Sequence, residues 1–355
     1  MDLGWKRAFG LQHNEVLGLD IGSSEVKIVQ LHKYNGGYAV TAAGVVEIPA
    51  NIDNNSQREE NTTEAIRECL RSSGANTQMA VCGVSGPEVA VRYFNFPSLL
   101  PEEIEGAVLL EAAQICPFNV DAAAVDYQLT ADGGNNVTGI LVAATNNLIQ
   151  KRRQLAEKAF LKCVLMDVEG LALLNCFNEL RPEGAETEGT KRTAAVLNVG
   201  NSHTTLAVTG ENGLPFIRDI AYGSNDIVEQ IATENNTSTE RIRKILFGSE
   251  NAQGQSEIES TLGRACKQLI VDVTETLRYY TTQEKSTVVE KVFVCGRFAL
   301  VKGFVELLNS SLSAEAVLWN PFDKMRFDAG RDCEDIVAKK GPAMAVAAGL
   351  AMRSI

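Results

Sequence analysis

Leu17-Gly-Leu-Asp20-Ile-Gly22-Ser-Ser24-Glu-Val-Lys27-Ile-Val29 and Val196-Leu-Asn198-Val-Gly200-Asn-Ser202-His-Thr204-Thr-Leu-Ala-Val208 are the two stretches whose comparison decides the fold. Each is an apolar strand that stops at a glycine, turns through small polar residues and resumes as a second apolar strand. Asp20-Ile-Gly22-Ser-Ser24 recurs as Asn198-Val-Gly200-Asn-Ser202, an offset of 178 residues, and the later turns Asn35-Gly36 and Asn212-Gly213 are offset by 177. A repeat this long points to duplicated domains and not to a solenoid. A tight turn rich in glycine and serine leaves main-chain N–H groups pointing outward, a nest that binds phosphate. Two such turns on facing lobes can clamp a polyphosphate from both sides, and hydrogen bonds to a charged acceptor are about twice as strong as neutral ones.

Outward from the turns, the elements fall in a regular order. Strands are expected at Val16–Ile21, Val26–Leu31 and Tyr38–Val46, then an amphipathic helix carrying Ala65, Ile66, Cys69 and Leu70 with Thr62 or Thr63 as its N-cap. The section Val89–Phe160 reads strand, helix, strand, strand, helix, with Pro101 in the first helical turn, as an α+β subdomain inserted into the first lobe. The polar stretch Arg181–Arg192 reads as the hinge. Strands at Ala195–Val199, Thr204–Thr209 and Phe216–Ile220 then repeat the opening meander.

Composition narrows the function. At 355 residues, with 45% apolar and 22% charged positions, the chain is expected to fold into more than one globular domain. No apolar run approaches the roughly 20 residues that span a bilayer, and Met1–Gln12 lacks the features of a signal peptide, so a cytoplasmic location is expected. Eight cysteines without a CxxC pair fit buried free thiols, and three histidines make a histidine metal centre a poor reading. A net charge of −12 repels nucleic acid and anionic lipid, so any polyphosphate must be held locally by N–H groups, a few cations and a metal. Lys27 lies just past the first turn, and Asp20 suits magnesium, directly or through water. Neither a Walker A pattern nor a G-x-G-x-x-G after a strand is present.

With these motifs in order, the sequence resembles the actin-like ATPases. Leu17–Val29 resembles their phosphate-1 motif, Val196–Val208 their phosphate-2 motif and Val292–Phe304 their adenosine motif. Glu111–Phe118, Met166–Leu173, Trp319–Phe322 and Pro342–Met352 resemble further segments of one branch, the PilM type IV pilus assembly proteins, relatives of the cell-division protein FtsA. The resemblance implies an α/β, two-lobed, ribonuclease H-like fold. Its first-lobe core is residues 1–88, 161–190 and 341–355, with 89–160 inserted; its second-lobe core is 191–222 and 287–340, with 223–286 as the upper subdomain. ATP and Mg2+ are the implied cofactors. The implied nucleotide site is Gly22, Ser23, Ser24 and Lys27 with Asn198, Gly200, Asn201, Ser202 and Thr204, completed by Gly223, Glu240, Arg243, Gly296 and Arg297. Asp20 and Glu169 are the implied catalytic carboxylates, with Asp20 also the magnesium ligand.

Three positions depart from that pattern. Asn198 stands where the family has an aspartate, Arg297 replaces a glycine that lets the backbone approach the nucleotide, and Arg243 replaces a lysine. Losing a carboxylate weakens metal binding and the positioning of water, so slow or absent hydrolysis is expected. Arg297 is expected either to crowd the base or to swing onto a phosphate.

The resemblance implies a scaffold beside the inner membrane that binds the N-terminal cytoplasmic tail of a single-pass PilN-like protein, in a groove lined from Val89–Phe160. Two other readings compete. A small-molecule kinase would need an acceptor-side base, for which the insert offers only Asp121 and Asp126. A filament-former like FtsA is the other; Trp5–Phe9 would then dock on a membrane or partner, or else pack on the first strand.

Overall fold

The structure, a computed structural model, describes residues 15–49, 55–130, 136–181, 193–210, 214–248, 252–283 and 288–353. Trp5–Phe9, the hinge residues 182–192 and the Asn212-Gly213 turn lie outside the described residues.

The first lobe starts with the expected meander. β1 (Leu17–Ile21) and β2 (Glu25–Tyr34) pair antiparallel with Asp20 opposite Lys27, and β3 (Gly37–Glu47) pairs with β2. Every residue of β1 is buried, as a strand covered on both faces requires. α1 (Asn55–Ser73) corrects the expected helix start. Thr62 and Thr63 do not cap it; both are buried within it, and their hydroxyls donate to the carbonyls of Arg58 at 2.7 Å and Glu59 at 2.8 Å. A threonine hydroxyl serves a helix end or the turn before it, and here the second use wins.

β4 (Met79–Val84) then runs parallel beside β1. The insert comprises β5 (Val89–Phe96), α2 (Pro101–Ile115), β6 (Ala123–Leu129), β7 (Val137–Thr145) and α3 (Asn146–Lys158), its strands forming a separate antiparallel sheet in the order β5-β7-β6. Ile104, Val108 and Ala112 of α2 pack on Phe94 and Leu141 of that sheet. β8 (Lys162–Val168) returns to the first sheet and leads into α4 (Glu169–Glu179).

The second lobe repeats the plan. β9 (Thr193–Val199), β10 (Thr204–Thr209) and β11 (Pro215–Ile220) form the meander, followed by α5 (Ser224–Glu234), α6 (Thr239–Phe247), α7 (Ala252–Ala265) and α8 (Lys267–Gln283). β12 (Val289–Cys295), α9 (Phe304–Ser311) and β13 (Glu315–Leu318) complete it, and β14 (Arg326–Phe327), α10 (Arg331–Lys340) and α11 (Ala345–Ala351) end the chain's described elements. The second sheet has the order β11-β10-β9-β12-β13; the first, β14-β3-β2-β1-β4-β8, matches it strand for strand apart from β14. β14 corrects the expected division of the chain. It lies within 287–340, yet it pairs with β3 of the first sheet, where an edge strand has free N–H and C=O groups to offer.

α4 and α11 pack between the two sheets at very short range. A Cβ on Gly18 would sit 1.9 Å from the carbonyl oxygen of Ala347, and one on Gly349 would sit 2.0 Å from that of Ala172, so neither position has room for a side chain. No helix among the described residues is long and apolar enough to cross a membrane.

Candidate functional site

The first turn is closed by the Gly22 N–H donating to the Glu25 carbonyl at 2.9 Å, and the Ile48 N–H holds the Ser24 carbonyl at 2.8 Å. Asp20, buried at the end of β1, accepts from the Lys27 ammonium at 3.1 Å. Lys27 thus reaches the carboxylate directly below the turn. Burial alone would push its ammonium down, but Asp20, Glu25 and Glu169 together hold it above its ordinary value.

The second turn has the same construction, with the Gly200 N–H donating to the His203 carbonyl at 3.1 Å. Asn201 is its hub. Its side-chain N–H donates to the Ser23 hydroxyl at 2.9 Å, so the two turns meet directly. Its side-chain oxygen accepts from the Ser224 hydroxyl at 3.2 Å and the Arg243 guanidinium at 3.4 Å, and Arg243 also donates to the Asn225 side chain. Gly223 begins α5 against this turn; a Cβ there would lie 2.6 Å from the Asn201 carbonyl oxygen. The Ser202 hydroxyl faces the His203 ring at 3.3 Å, whereas Thr204 is fully buried with its hydroxyl committed to the Tyr222 carbonyl at 2.8 Å. Glu240 is exposed in the first turn of α6.

Behind the second turn lies the loop after β12. Gly296 has φ +87°, and a Cβ there would lie 2.5 Å from the Val199 carbonyl oxygen and 2.7 Å from the Asn198 side-chain oxygen. Glycine is therefore required. Asn198 sits between β10 and β12, its side-chain oxygen 3.9 Å from the Cys295 thiol. Arg297, whose direction the sequence left open between base and phosphate, points across to the first lobe, to Glu25 at 3.0 Å and Glu47 at 2.7 Å.

Glu169 opens α4 and is buried beside Gly83 of β4. Burial pushes its carboxyl above its ordinary value and the Asp20 charge adds to this, while His203, Arg152 and a hydrogen bond with Ser85 pull the other way. The structure thus couples the two expected carboxylates. Asp167, its neighbour in sequence, is instead held by Arg353 through two bonds of 2.6 and 2.9 Å.

Arg152 is a residue that sequence reasoning missed. From α3 it donates to the Ile21 carbonyl at 2.5 Å, tying the inserted section to the first turn across 131 positions. Nothing in its local sequence marks it. His203, visible as the residue after the second turn's serine, becomes informative only once Glu169 is known to lie near it. Asp121 and Asp126, the candidate bases of the kinase reading, lie exposed on the insert.

The donor set fits a magnesium polyphosphate. It offers a carboxylate for a hard cation, hydroxyl and main-chain donors in two turns, and the cations Lys27, Arg152 and Arg243. The sequence matches the family described as type IV pilus assembly protein PilM over residues 18–355. The chain belongs to that family. Among solved structures, a PilM–PilN type IV pilus biogenesis complex superposes with a TM-score of 0.79 at 23% identity, covering 96% of this chain and 98% of that one. The ethanolamine utilization protein EutJ from Carboxydothermus hydrogenoformans gives 0.53 at 14% identity, covering 95% and 89%. A nucleotide-free diol dehydratase-reactivating factor gives 0.52 at 11% identity, covering 95% and 98%. The PilM-family chain thus has the two-lobed actin-like fold, as its duplicated sheets require.

Proposed function

We propose that this PilM-family chain is a nucleotide-responsive scaffold of a type IV pilus or related secretion machine. It holds MgATP between its turns, hydrolyses it slowly or not at all, and binds the N-terminal cytoplasmic tail of a PilN-like inner-membrane protein. The observation that carries the reading is the superposition, over nearly the full length of both chains, on a structure of a PilM–PilN complex. The insert supports a partner role: Tyr93, Leu100, Leu109, Leu110 and Leu129 are large apolar side chains left exposed on it. Exposed apolar side chains of this size give a partner's apolar residues something to pack against.

In this reading Asp20 holds the magnesium, and Ser23, Ser24, Asn201 and Ser202 with the turn N–H groups hold the phosphates. Bound magnesium would neutralise phosphate charge and orient the terminal phosphate. Glu240, Arg243, Gly223 and Gly296 would line the nucleoside side. Asn198 supplies an amide where a carboxylate would help to place water, which is the reason to expect weak turnover. Membrane association would then come through the partner.

Calorimetric titration tests this, with MgATP and a synthetic PilN-like tail as titrants. Wild type should bind both, and Asp20→Ala should lose MgATP but keep the tail. Turnover should be higher in Asn198→Asp than in wild type. A wild type that binds neither titrant overturns the reading, and brisk, equal turnover in wild type and Asn198→Asp overturns the Asn198 argument.

A further inference from the structure

Arg297 makes three contacts, and they join three parts of the molecule. Its guanidinium donates across the cleft to Glu25, the first residue of β2, at 3.0 Å and to Glu47, the last residue of β3, at 2.7 Å. The same group lies over the Phe247 ring at the end of α6, 4.4 Å from the ring centre. The Glu25 side chain is only 3% exposed, so its charge cannot be left to water. Removing the partner of a buried carboxylate is far more disruptive than breaking a surface pair. A guanidinium suits this place because its planar fork serves two carboxylates while its face stacks on an aromatic ring. Arg243 lies on the same side; burial holds its guanidinium below the ordinary value, and the positive charge of Arg297 adds to that. Arg243 itself donates to Asn201 and Asn225 of its own lobe, and it is Arg297 that reaches the two carboxylates of the first.

We propose that Arg297 is a positioning residue, a latch that sets the closure of the two lobes through Glu25 and Glu47 whatever ligand the cleft takes. The closing force comes from the chain's own side chains. A polyphosphate entering between the turns offers the guanidinium a competing anion, so that binding and unlatching are linked. This inference does not rest on the partner or on hydrolysis.

The test is hydrogen exchange of segments 22–27 and 44–49 in the full chain without added nucleotide, paired with small-angle scattering, across 50 mM to 1 M NaCl. In wild type segment 44–49 should exchange faster and the radius of gyration should grow as salt screens the exposed Glu47 pair, while the buried Glu25 pair is screened much less. Arg297→Ala should exchange these segments on the order of tenfold faster at low salt, with little further response to salt. Arg297→Lys, which keeps the charge but not the fork, should fall between them. Glu47→Gln changes an exposed carboxylate and so spares the fold, and it should weaken the salt response. Wild-type exchange and dimensions in Arg297→Ala, with Glu47→Gln also unchanged, overturn the latch. So does acceleration spread evenly over all segments, which marks a general loss of stability. Equal acceleration in the Lys and Ala variants overturns the charge-based account.

Discussion

At Glu169 two demands conflict, since a buried carboxyl beside another carboxylate suits chemistry better than it suits stability. Its folded value is raised above the ordinary 4.5 by burial and by Asp20, so in the pH window above 4.5 the folded state holds the proton more tightly than the unfolded one. Stability must therefore fall as pH rises through that window and recover as pH falls back through it. Glu169→Gln removes the charge and the dependence together. Its melting temperature should rise on the order of 1–3 °C at pH 7.5, with the gain vanishing at pH 4.5. Any residual ATP turnover should fall in the same variant; a stability gain with unchanged turnover would leave Glu169 a structural carboxyl. The two turns that surround it were legible because their chemistry is local, with glycine, serine and asparagine within a few positions. Arg152 and the partners of Arg297 were not, because contacts spanning 131 and 250 positions are set by how the lobes pack. Lys27 was placed correctly beside the first turn, but its bond to Asp20 follows from the register of β1 on β2.

Strands that alternate between short turns were read within a few residues of their observed bounds, since period-2 patterning and glycine stops fix them. Helix α1 was read short because its polar first half offers no apolar stripe, and its two threonines imitate a cap. β14 was invisible, for a two-residue strand has no period at all. The close approach of α4 to α11 was equally hidden, although the run Ala345–Ala351 holds only small and aliphatic residues. That approach is what the glycines make possible. Gly349→Ala would drive a methyl into the Ala172 carbonyl, where the backbone would have to move and no flexible side chain could yield instead. We expect a loss of about 2–4 kcal/mol, read as a lower urea midpoint with an unchanged slope. Gly106→Ala is the matched control, since a Cβ there meets nothing within 4 Å and alanine favours the helix. Equal midpoints in the two variants would mean that α11 packs more loosely than described.

Each lobe has a private core, Leu19, Ile28 and Ile66 in the first and Ile227, Ile231 and Leu269 in the second. A third cluster belongs to neither. Val29 and Val40 of the first sheet, Leu173 and Phe177 of α4, and Val196 and Phe293 of the second sheet all lie in it. Phe177 is its pivot, with its ring 5.0 Å from that of Phe293 and edge-on to Trp319 at 5.3 Å. Duplicated lobes invite the expectation of two independent folding units, but a shared core opposes it, because neither lobe can bury α4 and α11 alone. Unfolding should then be one transition, seen alike by near-ultraviolet and far-ultraviolet dichroism. Phe177→Ala discriminates between the alternatives. It should cost about 3–5 kcal/mol by the loss of a buried ring and the cavity left behind. If the lobes are coupled through this cluster, the single transition moves to lower urea and splits into two as the coupling weakens. If wild type already shows two transitions, and Phe177→Ala shifts only the one that belongs to the first lobe, the lobes fold separately and the shared cluster is an ordinary interdomain contact. The first outcome also bears on closure, because lobes joined at the base by one core can move only by bending about it. Relative motion of the lobes would then have to break the contacts of Arg297 with Glu25 and Glu47.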